Sequence, residues 1–188
     1  MEPEMLNRND REAKIIYNVF IDRFFNADTS NDGAINDPAI VLPPADYFGG
    51  DIKGITQKIK EGYFALLGVN TLWISPVVEN PKGAYGQWKD PDTKFSAYHG
   101  YWPVSFTKTD SRLGTSEDLK ELVSEAHKAG MNVLLDFVAH HVHELHPYYI
   151  EHPDRTTSLY LPAGTLNTEK WDEYRLTTWF DVLLPTLD

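Results

Sequence analysis

The sequence predicts an α/β fold built on parallel strands, and two patterns carry that expectation. Three apolar runs, Ile15 to Ile21, Val69 to Ser75 and Met131 to Ala139, are nearly continuous rather than alternating, the mark of strands covered on both faces. Two stretches of helical periodicity lie between them, and each closes on a glycine, Gly68 or Gly130, directly before the next strand. The order is therefore β-α-β-α-β.

Along the chain, the first strand gives way at Asp22 to a long link. The first helix is expected from about Lys53, with Ile55, Ile59, Tyr63 and Leu66 on one face. Gly68 supplies the positive-φ residue that a helix C-terminus favours. After the second strand a link runs from Pro76 to about Gly114. The second helix opens at Thr115-Ser116-Glu117-Asp118, a capping-box-like start in which the Thr115 hydroxyl accepts from first-turn amides. Leu119, Leu122, Val123 and Ala126 share its apolar face. Links between elements are ordinarily ~2 to 6 residues, and long ones are usually functional. Both long links here, and the weakly periodic stretch from His140 to Asp188, sit at the carboxyl ends of the strands. That is where βα barrels and doubly wound sheets carry their sites, and periodicity does not distinguish the two.

Hydrophobic residues at 41% and charged ones at 24% are the composition of a globular protein with a packed core. The length fits one domain or part of a larger one. Seventeen basic against 28 acidic residues give a net charge of -11, which opposes binding to nucleic acid and favours a neutral or cationic ligand. The absence of cysteine excludes disulfides, thiolate metal sites and a thiol nucleophile, but leaves the compartment open. Met1 to Lys14 is polar, and no stretch approaches ~20 apolar residues, so neither a signal peptide nor a membrane span is visible.

The first link carries Asn26-Ala27-Asp28-Thr29-Ser30-Asn31-Asp32 and Tyr47-Phe48-Gly49-Gly50-Asp51. Such oxygen-rich segments suit calcium, which takes ~6 to 8 hard oxygen ligands, but the same residues also make solvated turns. The second link is rich in planar side chains: Tyr85, Trp88, Phe95, Tyr98, Tyr101 and Trp102. Rings of this kind either fill space beneath a long loop or pack on the CH faces of sugars. At the end of the third strand, Asp136 lies among apolar neighbours, where a carboxylate calls for a hydrogen-bonding partner.

The run Ala97-Tyr98-His99-Gly100-Tyr101-Trp102, together with Asn132-Val133-Leu134-Leu135-Asp136-Phe137-Val138-Ala139-His140-His141, resembles the sugar-binding signatures of the alpha-amylase superfamily of glycoside hydrolases. The resemblance is strong over Lys14 to Leu145 and weak over Tyr160 to Asp188. It implies an incomplete TIM (β/α)8 barrel: residues 1–139 supply the first three βα units, and residues 140–188 begin the irregular domain inserted after strand three. It implies action on the α-glucosidic bonds of starch-like glucans, with Tyr47, Tyr101, Trp102 and His141 contacting sugar and Asp136 supporting the active centre. The family's nucleophile, acid and third carboxylate follow strands four, five and seven, so they are expected downstream of Asp188 and no catalytic residue is assigned here. A non-catalytic glucan-binding remnant is the alternative.

The first link resembles the calcium loop of cyclodextrin glycosyltransferases and related bacterial amylases. Asn26, Asp28, Asn31, Asp32, the Gly49 carbonyl and Asp51 are its implied ligands. The family usually places Asn before the conserved His for its main calcium site; here it is His140, a poorer calcium ligand. His141-x-His143 also resembles the zinc pair of amidohydrolases, although that pair belongs to a first barrel strand. His143 and His146 are otherwise expected in a surface histidine cluster.

Overall fold

The computed structural model describes residues 14–89, 91–157 and 186–187. In chain order the elements are β1 (Ile16–Val19), α1 (Ile21–Phe24), α2 (Ile52–Lys60), α3 (Tyr63–Leu66), β2 (Thr71–Ile74), β3 (Tyr85–Lys89), β4 (Asp92–Phe95), α4 (Ser116–Lys128), β5 (Asn132–Leu135), α5 (Pro147–Glu151), β6 (Thr156–Thr157) and β7 (Thr186–Leu187). The three predicted strands form one parallel sheet in the order β1-β2-β5. Each is shorter than its apolar run. Phe20 is the N-cap of α1, so Ile21 turns into a helix rather than ending the strand.

The register aligns Tyr17, Leu72 and Val133 in one row and Asn18, Trp73 and Leu134 in the next. Successive strand residues face opposite sides. The Tyr17 side, with Val19 and Ile74 two residues on, meets the helices. There Val19, Leu72 and Ile74 pack with Ile52, Ile55 and Ile59 of α2, Phe64 of α3, and Leu122 and Ala126 of α4. The Asn18 side is open among the described residues, with Trp73 and Leu134 exposed. Asp136, two residues beyond Leu134, belongs by alternation to this open side, and its amide donates to the Ile74 carbonyl at 2.9 Å.

The second helix forms as its sequence implies. Asp118 N–H donates to Thr115 Oγ1 at 3.1 Å while Asp118 Oδ2 accepts from the Thr115 amide at 2.7 Å, a full capping box. The first helix does not. Gly62 at φ +77° breaks the predicted stretch into α2 and α3. The break rotates the last turn, so Leu66 is 87% exposed and Phe64, not Leu66, is buried against the sheet. The second link also contains an antiparallel hairpin, β3 and β4, that periodicity did not announce. Beyond β5, helix α5 is capped by the His146 side chain, which accepts from the Tyr148 amide. Residues 158–185 and 188, which carry most of the expected inserted domain, lie outside the described residues, as do residues 1–13. No helix among the described residues is long and apolar enough to cross a membrane.

Candidate functional site

A pocket of about 440 Å³ opens at the carboxyl end of β5, lined by His99, Tyr101, Trp102, Phe137, Val138, His140 and His141. The Tyr101 hydroxyl donates to Asp136 Oδ2, which gives that carboxylate the partner its surroundings require. Burial, reinforced by the Asp136 carboxylate, pushes the Tyr101 phenol up to about 12, so it stays protonated and continues to donate. His141 is buried, and its Nε2–H donates to the Tyr101 carbonyl at 2.9 Å. That fixes Nδ1 as the acceptor, which meets His140 Nε2 at 3.2 Å. Burial also lowers the pKa of His141, keeping the ring neutral. Both ring nitrogens therefore have protein partners, and a ligand hydroxyl would share or replace one of them.

The loop that presents Tyr101 is held by side chains. Gly100 sits at φ +82°, and a Cβ there would lie 2.5 Å from the Pro76 carbonyl oxygen. The Tyr101 amide donates to His99 Nδ1 at 3.0 Å, and the Trp102 amide to Asn80 Oδ1 at 2.7 Å. Burial depresses His99 to about 4, in keeping with an Nδ1 lone pair already engaged by an amide. Asn80 is anchored by Asp110, itself paired with Arg112 at 2.5 Å in a nearly buried ion pair.

The expected sugar-contacting residues do not all meet at this pocket. Trp102 lines it but is only 9% exposed, packing edge-on against His99 and Tyr85. Tyr47 is buried elsewhere, with the Arg112 guanidinium 4.5 Å above its ring, and does not line the pocket. His143 is not a surface histidine. It is fully buried against Tyr85, its Nδ1 accepts from the Leu145 amide at 3.2 Å, and burial lowers it to about 4. Among the described residues no group of three or more His, Cys, Asp or Glu is placed to hold a metal.

In the first link, Asp51 is fully buried and caps α2, accepting from Gly54 N at 2.6 Å. Its other oxygen accepts from the amides of Ala27 and Asp28 at 3.0 and 2.7 Å, folding the link back onto the helix. Asn26 Nδ2 donates to Asp32 Oδ1 at 2.7 Å. A Cβ on Gly49 would lie 2.5 Å from both of those atoms. Asn26 Oδ1 and Asn31 Oδ1 are buried without a hydrogen-bond partner. Asp28 binds Ser30 and Lys53, which together hold its carboxyl down at about 2.

Two residues that sequence reasoning passed over hold the segment from Pro44 to Gly49 against the Tyr98 ring. Buried Asp22 accepts from the amides of Phe48 and Gly49, and burial raises its pKa. Arg23 pairs with Asp22, donates to the carbonyls of Asp46 and Pro44, and stacks between Phe48 at 3.8 Å and Tyr98 at 3.9 Å. The adjacent Asp22-Arg23 pair beside an apolar strand was the available signal. Next to Tyr98 a second, apolar groove of about 430 Å³ is lined by Leu42, Pro44, Trp88, Pro91 and Phe95 among others.

Comparison with known proteins matches residues 18–178 to the alpha-amylase catalytic domain. Over 137 residues the chain is 36% identical to an alpha-amylase of Niallia circulans, and it is 38% identical to a cyclomaltodextrin glucanotransferase of Bacillus licheniformis. Each alignment covers 72% of this chain, which spans 25% and 18% of those two proteins. The crystal structure of an alpha-amylase from Geobacillus thermoleovorans complexed with acarbose superposes with a TM-score of 0.65 at 32% identity, over 93% of this chain and 33% of that one. A match of this extent also excludes the amidohydrolase reading of the histidines. The parallel sheet, the Tyr101–Asp136 pair at its carboxyl end and the family match agree, and the chain belongs to the alpha-amylase family, within its TIM-barrel catalytic domain.

Proposed function

We propose that the pocket over Tyr101 binds a glucose unit of a starch-like α-glucan, as part of a glycoside hydrolase or transglycosylase. The observation that carries this reading is Tyr101, held at its hydroxyl by Asp136 and at its backbone carbonyl by His141 at the carboxyl end of the sheet, in a pocket walled by aromatic and apolar side chains. Rings of this kind take up the apolar face of a pyranose, and the neutral imidazole of His141, which lines the pocket, is placed to meet a hydroxyl, while Asp136 holds the ring from outside it. The exposed Trp88 and the Tyr98 ring in the neighbouring groove extend the surface for further units of the same chain. The neutral ligand accords with a net charge of -11.

Cleavage with retention needs a carboxylate nucleophile and a carboxylic acid about 5 Å apart. No carboxylate among the described residues lines the pocket, and Asp136 is engaged by Tyr101. We therefore assign binding and orientation to these residues, and the bond-breaking pair to none of them.

We also propose that the first link takes up calcium. Asn26 and Asn31 offer buried carboxamide oxygens without partners, and Gly49 lets its backbone approach where a side chain would collide. The carboxylates of Asp28, Asp32 and Asp51 are not gathered around one point, Asp28 being held by Ser30 and Lys53 and Asp51 by three amides, so calcium would have to draw them in. When bound, calcium would stiffen the link and supply no reacting group.

The test is calorimetric titration of maltoheptaose into the 188-residue chain. Saturable binding that Tyr101→Ala abolishes supports the reading. Absence of binding by the folded chain at millimolar maltoheptaose overturns it.

A further inference from the structure

We infer that Asn80 is a positioning residue for Tyr101, its one carboxamide gripping the chain on both sides of that ring. What the ring binds rests on the glucan reading above; how it is held does not. Asn80 is buried, its Oδ1 accepts from the Trp102 amide at 2.7 Å, and its Nδ2 donates to the carbonyls of Gly100 at 3.1 Å and Val78 at 2.7 Å. The peptide units before and after Tyr101 thus end on a single planar group. A carboxamide has one acceptor oxygen and two donor hydrogens, and all three functions are used here.

The anchor is itself fixed. The Asn80 amide donates to Asp110 Oδ2 at 2.9 Å, and the Asn80 carbonyl accepts from Arg112 Nη2 at 2.9 Å. Arg112 and Asp110 form the nearly buried ion pair, and Arg112 also donates to the Pro81 carbonyl. Asn80 lines a polar cleft of about 420 Å³ with Arg112 and Asp110, and not the pocket that Tyr101 lines. Any effect of Asn80 on a ligand in that pocket must pass through the loop.

Why the loop needs such a clamp follows from its backbone. Gly100 has a positive φ and no room for a side chain, so the turn has no regular ladder to hold it. His99 and His141 hold Tyr101's own amide and carbonyl, which leaves the flanking peptide groups to Asn80. A ring locked in advance gains contact without losing freedom on binding.

The experiment places 3-fluorotyrosine at position 101 and compares the chain with its Asn80→Ala and Asn80→Asp variants by 19F NMR and maltoheptaose titration, well below each melting temperature. We expect one narrow resonance in the parent, a broadened or split one in Asn80→Ala, and affinity weakened about tenfold, the size of one or two lost hydrogen bonds. Asn80→Asp retains the acceptor for Trp102 and loses the donor to Gly100, so it should lie between the two. If Asn80→Ala does not fold, the resonance of Asn80→Asp decides. Unchanged resonance and unchanged affinity in a folded variant overturn the proposal. An altered resonance in the Asn80 variants of a parent that binds no maltoheptaose supports the clamp and refutes the glucan reading instead.

Discussion

Asp51→Ala should be among the most damaging single substitutions in the first link, because one fully buried carboxylate satisfies three amides there. Loss of the N-cap to Gly54 costs about 1 kcal/mol, with a range of ~0.5–2. The amides of Ala27 and Asp28 lose their acceptor as well, at about 1 kcal/mol each, the low end for groups that water can reach. The sum is about 3 kcal/mol. Urea unfolding followed by circular dichroism reads it as a fall in midpoint at constant slope. Asp51→Asn, which keeps one strong acceptor, should lose about half as much. A loss under about 1 kcal/mol for Asp51→Ala would refute the reasoning, since the three amides would then be satisfied without the carboxylate.

Three further outcomes are expected. Calcium should raise the melting temperature of the metal-stripped chain, with a stabilisation of about 2.7 kcal/mol at a hundredfold excess over Kd, and Asn26→Ala should abolish the shift; no shift in the parent would leave a plain turn. Gly54→Ala should destabilise although alanine is the better helix former by about 1 kcal/mol, because its Cβ would lie 1.9 Å from the Phe25 carbonyl oxygen; a rise in melting temperature would contradict the close approach. Acid should weaken the fold through His99 and His143. Both are lowered to about 4 from an unfolded value near 6.5, so the unfolded chain binds more protons in between, and the stability present above that value falls as pH drops through this window. Replacing His143 with Phe should flatten part of that slope, and an unchanged slope in both His143→Phe and His99→Phe would refute it.

How much of this could be read in the sequence depended on whether a residue's role is local. The capping box at Thr115 and the C-terminal glycines Gly68 and Gly130, both at positive φ, are local, and their signals were direct. The strand order followed from apolar runs separated by helices. Leu66 is exposed where a continuous helix would bury it, because a 3.6-residue period is blind to the break at Gly62. Tyr101 and Asp136 were legible as residues, but their hydrogen bond joins positions 35 apart. Asn80, Asp110 and Arg112 were missed because an Asn before Pro81 and an Asp-x-Arg turn look like ordinary loop chemistry. His143 was misjudged because nothing local distinguishes a histidine under Tyr85 from one in water.

The parallel register has a consequence for how the chain is made. Ile16 pairs with Thr71, and Thr71 with Asn132, so each strand waits 55 and then 61 residues for its neighbour to be synthesised. At about 5–20 residues per second those intervals last roughly 3 to 12 seconds, far longer than the microseconds in which a helix such as α2 forms. Through each interval the newest strand presents an unpaired, apolar edge. Ribosome pausing, chaperone access and growth temperature should therefore govern the yield of this chain more than its final stability does, and codon changes between Gly54 and Thr71, which alter nothing in the product, are where that dependence would first be felt.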